Sequence, residues 1–288
     1  MLIIGKNGRD IIHINKDESQ LDITKIGNSF YIKSTNNEIF EIRNLEDSDL
    51  LILNSSRIPK IIKPDYQGDT NIEEYFPLSS LNDLKSYSDR YIFTAFGTVS
   101  EVTLSNGMRG IQVSSDDLSS TGYLQLGSDN LNFSTFAISF WVEYIKSDAD
   151  SSIIFNYESD YELSVDYSDN YLKWAVHNNN SDGSNWTWIK ENIEMSGLKH
   201  IVYQYNGSST EIWINGVKIV EHDHDRSPYS DDRNNAFTIG GRAPSFGEST
   251  GSISALKVSD FIISDTPLST DLINEIYTKG INGKRFLD

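Results

Sequence analysis

Glu158-Ser159-Asp160-Tyr161-Glu162 places three carboxylates at alternate positions, and alternate positions share one face of a β-strand. Two carboxyls held about 5–5.5 Å apart across a glycosidic bond act as nucleophile and acid/base in a retaining glycosidase. Here the context breaks the pattern. Asn156 to Asp160 is turn chemistry, and in the next strand Leu163 and Val165 alternate inward while Glu162 and Asp166 face outward. A loop followed by a solvated strand face is the expectation, and no catalytic residue is assigned.

Ligand-type residues concentrate again in Glu221-His222-Asp223-His224-Asp225 and Asp231-Asp232. Alternation puts His222 and His224 on one side, with Asp223 and Asp225 on the other. A Ca²⁺ site would gather about six to eight oxygens, drawing here on Asp223, Asp225, Asp231 and Asp232. The plainer expectation is an acidic loop in an acidic chain without a cofactor. Trp186 and Trp188 alternate on one strand, behind a polar loop holding Asn180 and Asn185. Indoles offer a π-surface to the C–H faces of sugars while amides serve the hydroxyls, so these four residues form the glycan-binding candidate. Strand tryptophans belong more often to a core. Trp141, Trp174 and Trp213 are read that way, and core packing is also the first expectation for the 186/188 pair. His177 and His200 have no Ser or Asp at triad spacing, and Gly240-Gly241 precedes no helix, so neither nucleophilic catalysis nor phosphate binding is expected.

The elements that must position these residues are β-strands. The chain has 288 residues, 38% apolar and 11% aromatic, enough for a substantial core and two domains. From residue 1 to 63, six short β-rich runs alternate with turns such as Lys6-Asn7-Gly8 and Thr35-Asn36-Asn37, which predicts a small barrel or sandwich. Residues 64–71, polar with Pro64 and Gly68, are read as a linker, and the strand rhythm resumes over 72–288. Glu211 to Val220 is a hairpin around Asn215-Gly216, two residues that tolerate positive φ. Leu272, Ile273, Ile276 and Tyr277 form an apolar stripe at helical spacing behind a Ser or Thr N-cap, predicting one short helix near the end.

With 42 acidic against 24 basic residues, the formal charge of −18 repels nucleic-acid backbones and anionic lipid. No nucleic-acid partner, membrane insertion or standard secretion signal is expected. The lack of cysteine removes disulfides and thiolate chemistry.

Several segments, in order, resemble the laminin-G-like (concanavalin-A-like) family, including variants common in phage tail and bacterial surface proteins. Tyr75-Phe76-Pro77-Leu78 and Gly122-Tyr123-Leu124-Gln125-Leu126 are similar to its opening strands. Phe136-Ala137-Ile138-Ser139-Phe140-Trp141-Val142 is similar to its "Phe-Thr-Ile-x-x-Trp-Val" strand. Gly197 to Tyr203 with the Asn-Gly hairpin resembles "Trp-x-His-Ile-x-Val" followed by "Ile-Tyr-Val-Asn-Gly", with Leu198 at the Trp position. Phe237 to Gly241, Gly251 to Ser254 and Pro267 to Tyr277 complete the order. The resemblance spans about 72–280 and implies an all-β chain: a small N-terminal β-module and an antiparallel jelly-roll sandwich with one C-terminal helix.

By analogy, the expected function is non-enzymatic display on a bacteriophage virion, with a bacterial cell-surface or extracellular location as the alternative. The N-terminal module would join other virion or surface-assembly proteins, with homo-oligomerisation as a further expectation, and the sandwich would meet a host-surface glycan. A free lectin and, further back, a glycoside hydrolase are the alternatives.

Overall fold

The structure, a computed structural model, describes residues 2–4, 11–14, 21–26, 29–43, 50–54, 59–62, 72, 74–82, 84–86, 91–127, 131, 133–147, 151–157, 160–166, 171–177, 186–224, 236–242 and 253–286. Before residue 63 lie β1 (Leu2–Ile4), β2 (Ile11–Ile14), β3 (Leu21–Ile26), β4 (Ser29–Ser34), β5 (Ile39–Arg43), β6 (Leu50–Asn54) and β7 (Pro59–Ile62). They make a four-stranded sheet, β1-β5-β4-β3, and a three-stranded sheet, β2-β6-β7. The sequence reading counted six runs here, and the seventh strand is the additional one. Pro59 is the first residue of an edge strand, where the missing N–H is tolerated. β1 pairs β5 and β2 pairs β6 in parallel, so the module is not a run of simple hairpins.

The sandwich follows: β8 (Glu74–Phe76), β9 (Phe93–Gly97), β10 (Val99–Thr103), β11 (Arg109–Val113), β12 (Gly122–Leu126), β13 (Phe136–Ser147), β14 (Ser151–Tyr157), β15 (Tyr161–Asp166), β16 (Tyr171–His177), β17 (Trp186–Glu191), β18 (Leu198–Tyr205), β19 (Ser209–Ile214), β20 (Val217–Asp223), β21 (Phe237–Ile239) and β22 (Ser254–Ser264), then α1 (Thr270–Ile281). An eight-stranded sheet runs β10-β11-β22-β13-β18-β19-β20, with β8 also on β22, and a seven-stranded sheet runs β17-β16-β15-β14-β21-β12-β9. Their inner faces share one core in which Phe140, Phe155, Phe237 and Phe261 meet at ring-centroid distances of 5.6 to 5.7 Å for the pairs 140/155, 140/261, 155/237 and 237/261. Edge-to-face and offset arrangements of this kind join hydrophobic burial to favourable quadrupole geometry.

A β-bulge fixes which residues of β22 enter that core. Opposite β13, Ser139 pairs with Ile262 but Trp141 pairs with Ser259, so β22 holds one extra residue. Leu256 and Val258 point inward before it, and Phe261 and Ile263 after it. Asp260, buried and at φ +54°, makes the switch. Its carboxylate accepts from Tyr75 Oη and, at 3.0 Å, from Phe286 N, tying both ends of the sandwich to its central strand.

The expected hairpin is present, with Asn215 at φ +53° and Gly216 at +79°. Asn215 Oδ1 also accepts from His200 N at 2.9 Å, locking the turn onto β18. Ser269 caps α1 by accepting from Leu272 N, and Ile273 and Ile276 face inward as the apolar stripe predicted. The helix lies over the outer face of the eight-stranded sheet. A Cβ on Gly280 would come within 2.2 Å of the Trp141 indole, so only glycine lets the last turn rest there.

Ile26 and Tyr31 of the N-terminal module, with Ile72, join Tyr75, Val202, Trp213, Ile262, Leu268, Ile273, Ile276 and Phe286 in one buried apolar cluster. Module and helix together close much of that outer face. The expected linker, 64–71, lies outside the described residues. Because the shared cluster is apolar, a fragment of residues 72–288 should bind an environment-sensitive apolar dye more strongly than the full chain and melt at lower temperature. Equal dye binding and an equal Tm would show that the module contributes no cover.

His200 is fully buried on that same face, its Nε2 hydrogen-bonded to Ser139 Oγ at 2.9 Å and its ring packed against Trp141. Burial lowers its pKa from 6.5 to about 3. The unfolded chain therefore takes up a proton below pH 6.5 that the folded chain refuses. The sign is fixed: stability present above 6.5 falls as the pH drops toward 3, by about 3 kcal/mol at about pH 4.5. In His200→Gln this contribution disappears, so the stability lost between pH 7 and 4.5, measured by urea titration, should be smaller than in the parent. An identical loss in both proteins would refute the assignment.

Candidate functional site

The carboxylate run divides between two environments. The expected turn over Asn156 to Asp160 is shorter than read: β14 continues through Asn156 and Tyr157, β15 begins at Tyr161, and Asp160 N donates to Tyr157 O at 3.1 Å, while Glu158 and Ser159 lie outside the described residues. The expected solvated strand face is not. Glu162 and Asp166 do point away from the core, yet both are buried. Glu162 pairs with Arg242 at 2.8 Å and Asp166 forms an ion pair with Lys190. Facing outward on an inner strand of a wide sheet does not by itself give exposure: Arg242, just beyond β21, lies against Glu162.

The register aligns Thr238, Asn156, Glu162, Ala175 and Trp188 in one row on the outer face of the seven-stranded sheet, across β21, β14, β15, β16 and β17. The row is buried until its end. β17 is an edge strand, and Trp188 there is 46% exposed. Trp186, two residues earlier, stacks on it with centroids 6.1 Å apart and 30° between planes, and the His177 ring meets Trp186 edge-on at 5.6 Å. Lys173 Nζ lies 4.1 Å from the Trp188 ring centroid.

This corrects the first expectation for the pair. Trp186 and Trp188 are not core; Ile189, between strand neighbours of opposite facing, is the side chain of β17 that packs against the core. Trp-Thr-Trp-Ile alternates without showing which parity is inward, since both contain apolar residues. Pairing decides it: Ile189 stands opposite the buried Trp174. Asn180 and Asn185 lie outside the described residues. Trp141, Trp174 and Trp213 are buried as expected.

The acidic segment does not assemble into a cation site where it is described. Asp223 is exposed at the end of β20, while Asp225, Asp231 and Asp232 lie outside the described residues. His222 and His224 do share a side, their rings 6.1 Å apart, but His224 Nε2 is engaged with Thr210 Oγ1 at 2.7 Å and its ring stacks on Tyr205. Among the described residues no group of three or more His, Asp or Glu is arranged to hold a metal. The hydrogen-bonded Ser139–His200 pair was invisible to spacing rules, being brought together across β13 and β18. Both residues are sealed from solvent and His200 Nδ1 has no partner among the described residues, so the pair lacks the access and the orienting acid of a nucleophilic site.

Removing one partner of a buried ion pair leaves the other uncompensated. Glu162→Gln should therefore lower stability by about 1–3 kcal/mol, the lower end allowing for the partial exposure of Arg242. The double variant Glu162→Gln, Arg242→Gln should recover part of that loss in urea unfolding. Full additivity of the two single losses would mean that the pair contributes no coupling.

Comparison with known proteins follows the geometry. The binding domain of botulinum neurotoxin DC in complex with rat synaptotagmin II superposes with a TM-score of 0.53 at 17% identity, covering 73% of this chain and 51% of that one. The binding domain of Paraclostridial Mosquitocidal Protein 1 gives 0.54 at 15%, covering 74% and 55%. A botulinum neurotoxin type C structure, described by the dependence of cell entry on interaction with two ganglioside molecules, gives 0.51 at 15%, covering 73% and 51%. The chain spans about half the length of these solved structures, and the likeness is one of fold. No curated protein matches it by sequence. A family model described as the Concanavalin A-like lectin/glucanases superfamily matches residues 118–269, from the loop before β12 to the N-cap of α1, and the chain belongs to that superfamily.

Proposed function

We propose that this chain is a non-enzymatic, lectin-like binding protein that holds a glycan against Trp186 and Trp188. The observation that carries the reading is the exposure of Trp188 at the free end of an otherwise buried row. An indole left 46% exposed on a regular strand gains from being covered, and a sugar's C–H face is a suitable cover when polar groups stand beside it. Lys173, Lys190 and His177 stand there. The superfamily includes lectins, and the type C neurotoxin that shares the fold is described through ganglioside interaction. The buried, ion-paired state of Glu162 weighs against the glycosidase alternative.

The setting belongs to the same proposal: a bacteriophage particle, or else a cell surface, with the N-terminal module toward the assembly and the seven-stranded sheet facing away. What supports the orientation is that the module and α1 cover the opposite sheet.

Trp188→Ala removes exposed aromatic area and little core, so its Tm should stay close to that of the parent while affinity for a glycan selected from a neutral and acidic panel falls about tenfold or more. Unchanged binding in the Trp186→Ala, Trp188→Ala double variant would sink the platform.

A further inference from the structure

Among the described residues the N-terminal module has four edge strands, β1 and β3 in one sheet and β2 and β7 in the other. Two of them are guarded. β3 carries Asp22 and Lys25 and is joined at Ile26 by a bridge from Ile72, on the approach to the sandwich. β7 begins with Pro59 and Lys60. Lysine, proline and covering chain are the means by which a protein keeps a sheet edge from pairing with another molecule. β1 (Leu2-Ile3-Ile4) and β2 (Ile11-Ile12-His13-Ile14) contain no proline, lysine or acid. Leu2 stands opposite Glu41 and Ile11 opposite Leu50, a separation of 39 residues in both, so β1 and β2 follow β5 and β6 in the same order and the two open edges share one side of the module. The stacked segments are also alike: Asp10-Ile11-Ile12-His13-Ile14-Asn15 matches Asp49-Leu50-Leu51-Ile52-Leu53-Asn54 in its Asp, its Asn and three apolar positions. Buried Ile14 of β2 packs with Phe30, Ile32 and Ile42 of the other sheet, which holds both sheets in one unit. The module is thus a stack of two like segments, closed on one side by β3, β4 and β7 and open on the other. A stack of repeats needs a cap at each end.

We infer that β1 and β2 form the interface between two copies of this chain, related by a two-fold axis that pairs each strand antiparallel with its own mate. Charge favours a copy as the occupant. With a formal charge of −18 the chain repels a second copy of itself, whereas these two strands bring no formal charge to the contact. One axis closes both edges, so the assembly stops at two instead of growing into a fibre. The strands are three and four residues long, so the contact is small and the dimer depends on concentration. One dimer carries two β17 edges, and two linked sites hold a dense surface more tightly than one.

The test uses the full chain, which has no cysteine of its own. Sedimentation equilibrium should show monomer passing to dimer between about 1 and 100 μM. A two-fold antiparallel pair sets one residue of β1 opposite itself, at a Cα separation of about 4.5–5.5 Å that a disulfide can span. Leu2→Cys, Ile3→Cys and Ile4→Cys, made singly and mildly oxidised, should therefore give a disulfide-linked dimer at one of the three positions, while Asp22→Cys on β3 and Lys60→Cys on β7 give none. The double variant Ile4→Lys, His13→Lys puts ammonium groups on both open edges and should weaken the dimer about tenfold or more. If that variant loses the circular dichroism of the parent, the cysteine scan decides alone. A monomer at every concentration, or a species larger than a dimer, overturns the assignment. A dimer with no cross-link in β1, or one that the folded lysine variant keeps intact, overturns it too, because the chains then meet elsewhere. Trp188→Ala should leave the dimer unchanged, so failure of the interface and failure of the glycan site are read separately.

Discussion

The bulge at Asp260 is the constraint on which the sandwich depends. β22 is the hub of the eight-stranded sheet, paired with β8, β11 and β13. A strand of period two cannot place Leu256, Val258, Phe261 and Ile263 on one face without an inserted residue. The left-handed conformation of that residue is unfavourable for most side chains but tolerated by Asp, whose short carboxylate finds local donors. The buried carboxylate is satisfied by donors that include Tyr75 Oη and Phe286 N. Those donors come from the first strand of the sandwich and from the chain beyond α1. The requirement for core parity thus becomes the tie that closes the domain.

A second consequence is the asymmetry between the two outer faces. Once Phe261 is inward, Ile262 is outward, where it joins Val202 and Trp213 in an apolar patch that needs a cover. α1 and the N-terminal module supply it, and Gly280 lets the helix lie against Trp141. The seven-stranded sheet carries polar residues outward instead, Asn156, Glu162 and Thr238 among them. Arg242 pairs with Glu162 on that face, and Trp188 at the β17 edge stays exposed.

The parts of this design that were readable in the sequence are those set by local chemistry. Asn215-Gly216 specifies its turn through two positive φ angles, and the 272/273/276/277 stripe specifies a helix packed on one side. Phe136 to Val142 reads as a strand because Phe136, Ile138, Phe140 and Val142 alternate into the core. The unreadable parts are set by partners distant in sequence. Nothing near Asp260 announces an extra residue; it is visible only against β13. The parallel pairing of β1 with β5 leaves no local mark either. Glu162 looked solvated because alternation gives facing, not burial, and its partner Arg242 is eighty residues away. For Trp186 and Trp188 alternation left the direction open, and the pairing of Ile189 with Trp174 decides it.

The position of the aromatic pair also answers a structural need. An edge strand exposes backbone donors and acceptors that invite another strand, and proteins blunt such edges with charge and bulk. β17 does this with Trp186, Trp188, Lys190 and Glu191 in six residues. A bulky, charged edge keeps the sheet from extending. Trp186, Trp188 and Lys190 share the outer side of the strand while Ile189 anchors the other side to the core beside Trp174. Rigidity comes from that anchor, and an aromatic surface held on a rigid strand loses little conformational entropy when a ligand covers it. The edge is therefore the place on this sheet where protection against strand addition and the proposed binding surface draw on the same side chains.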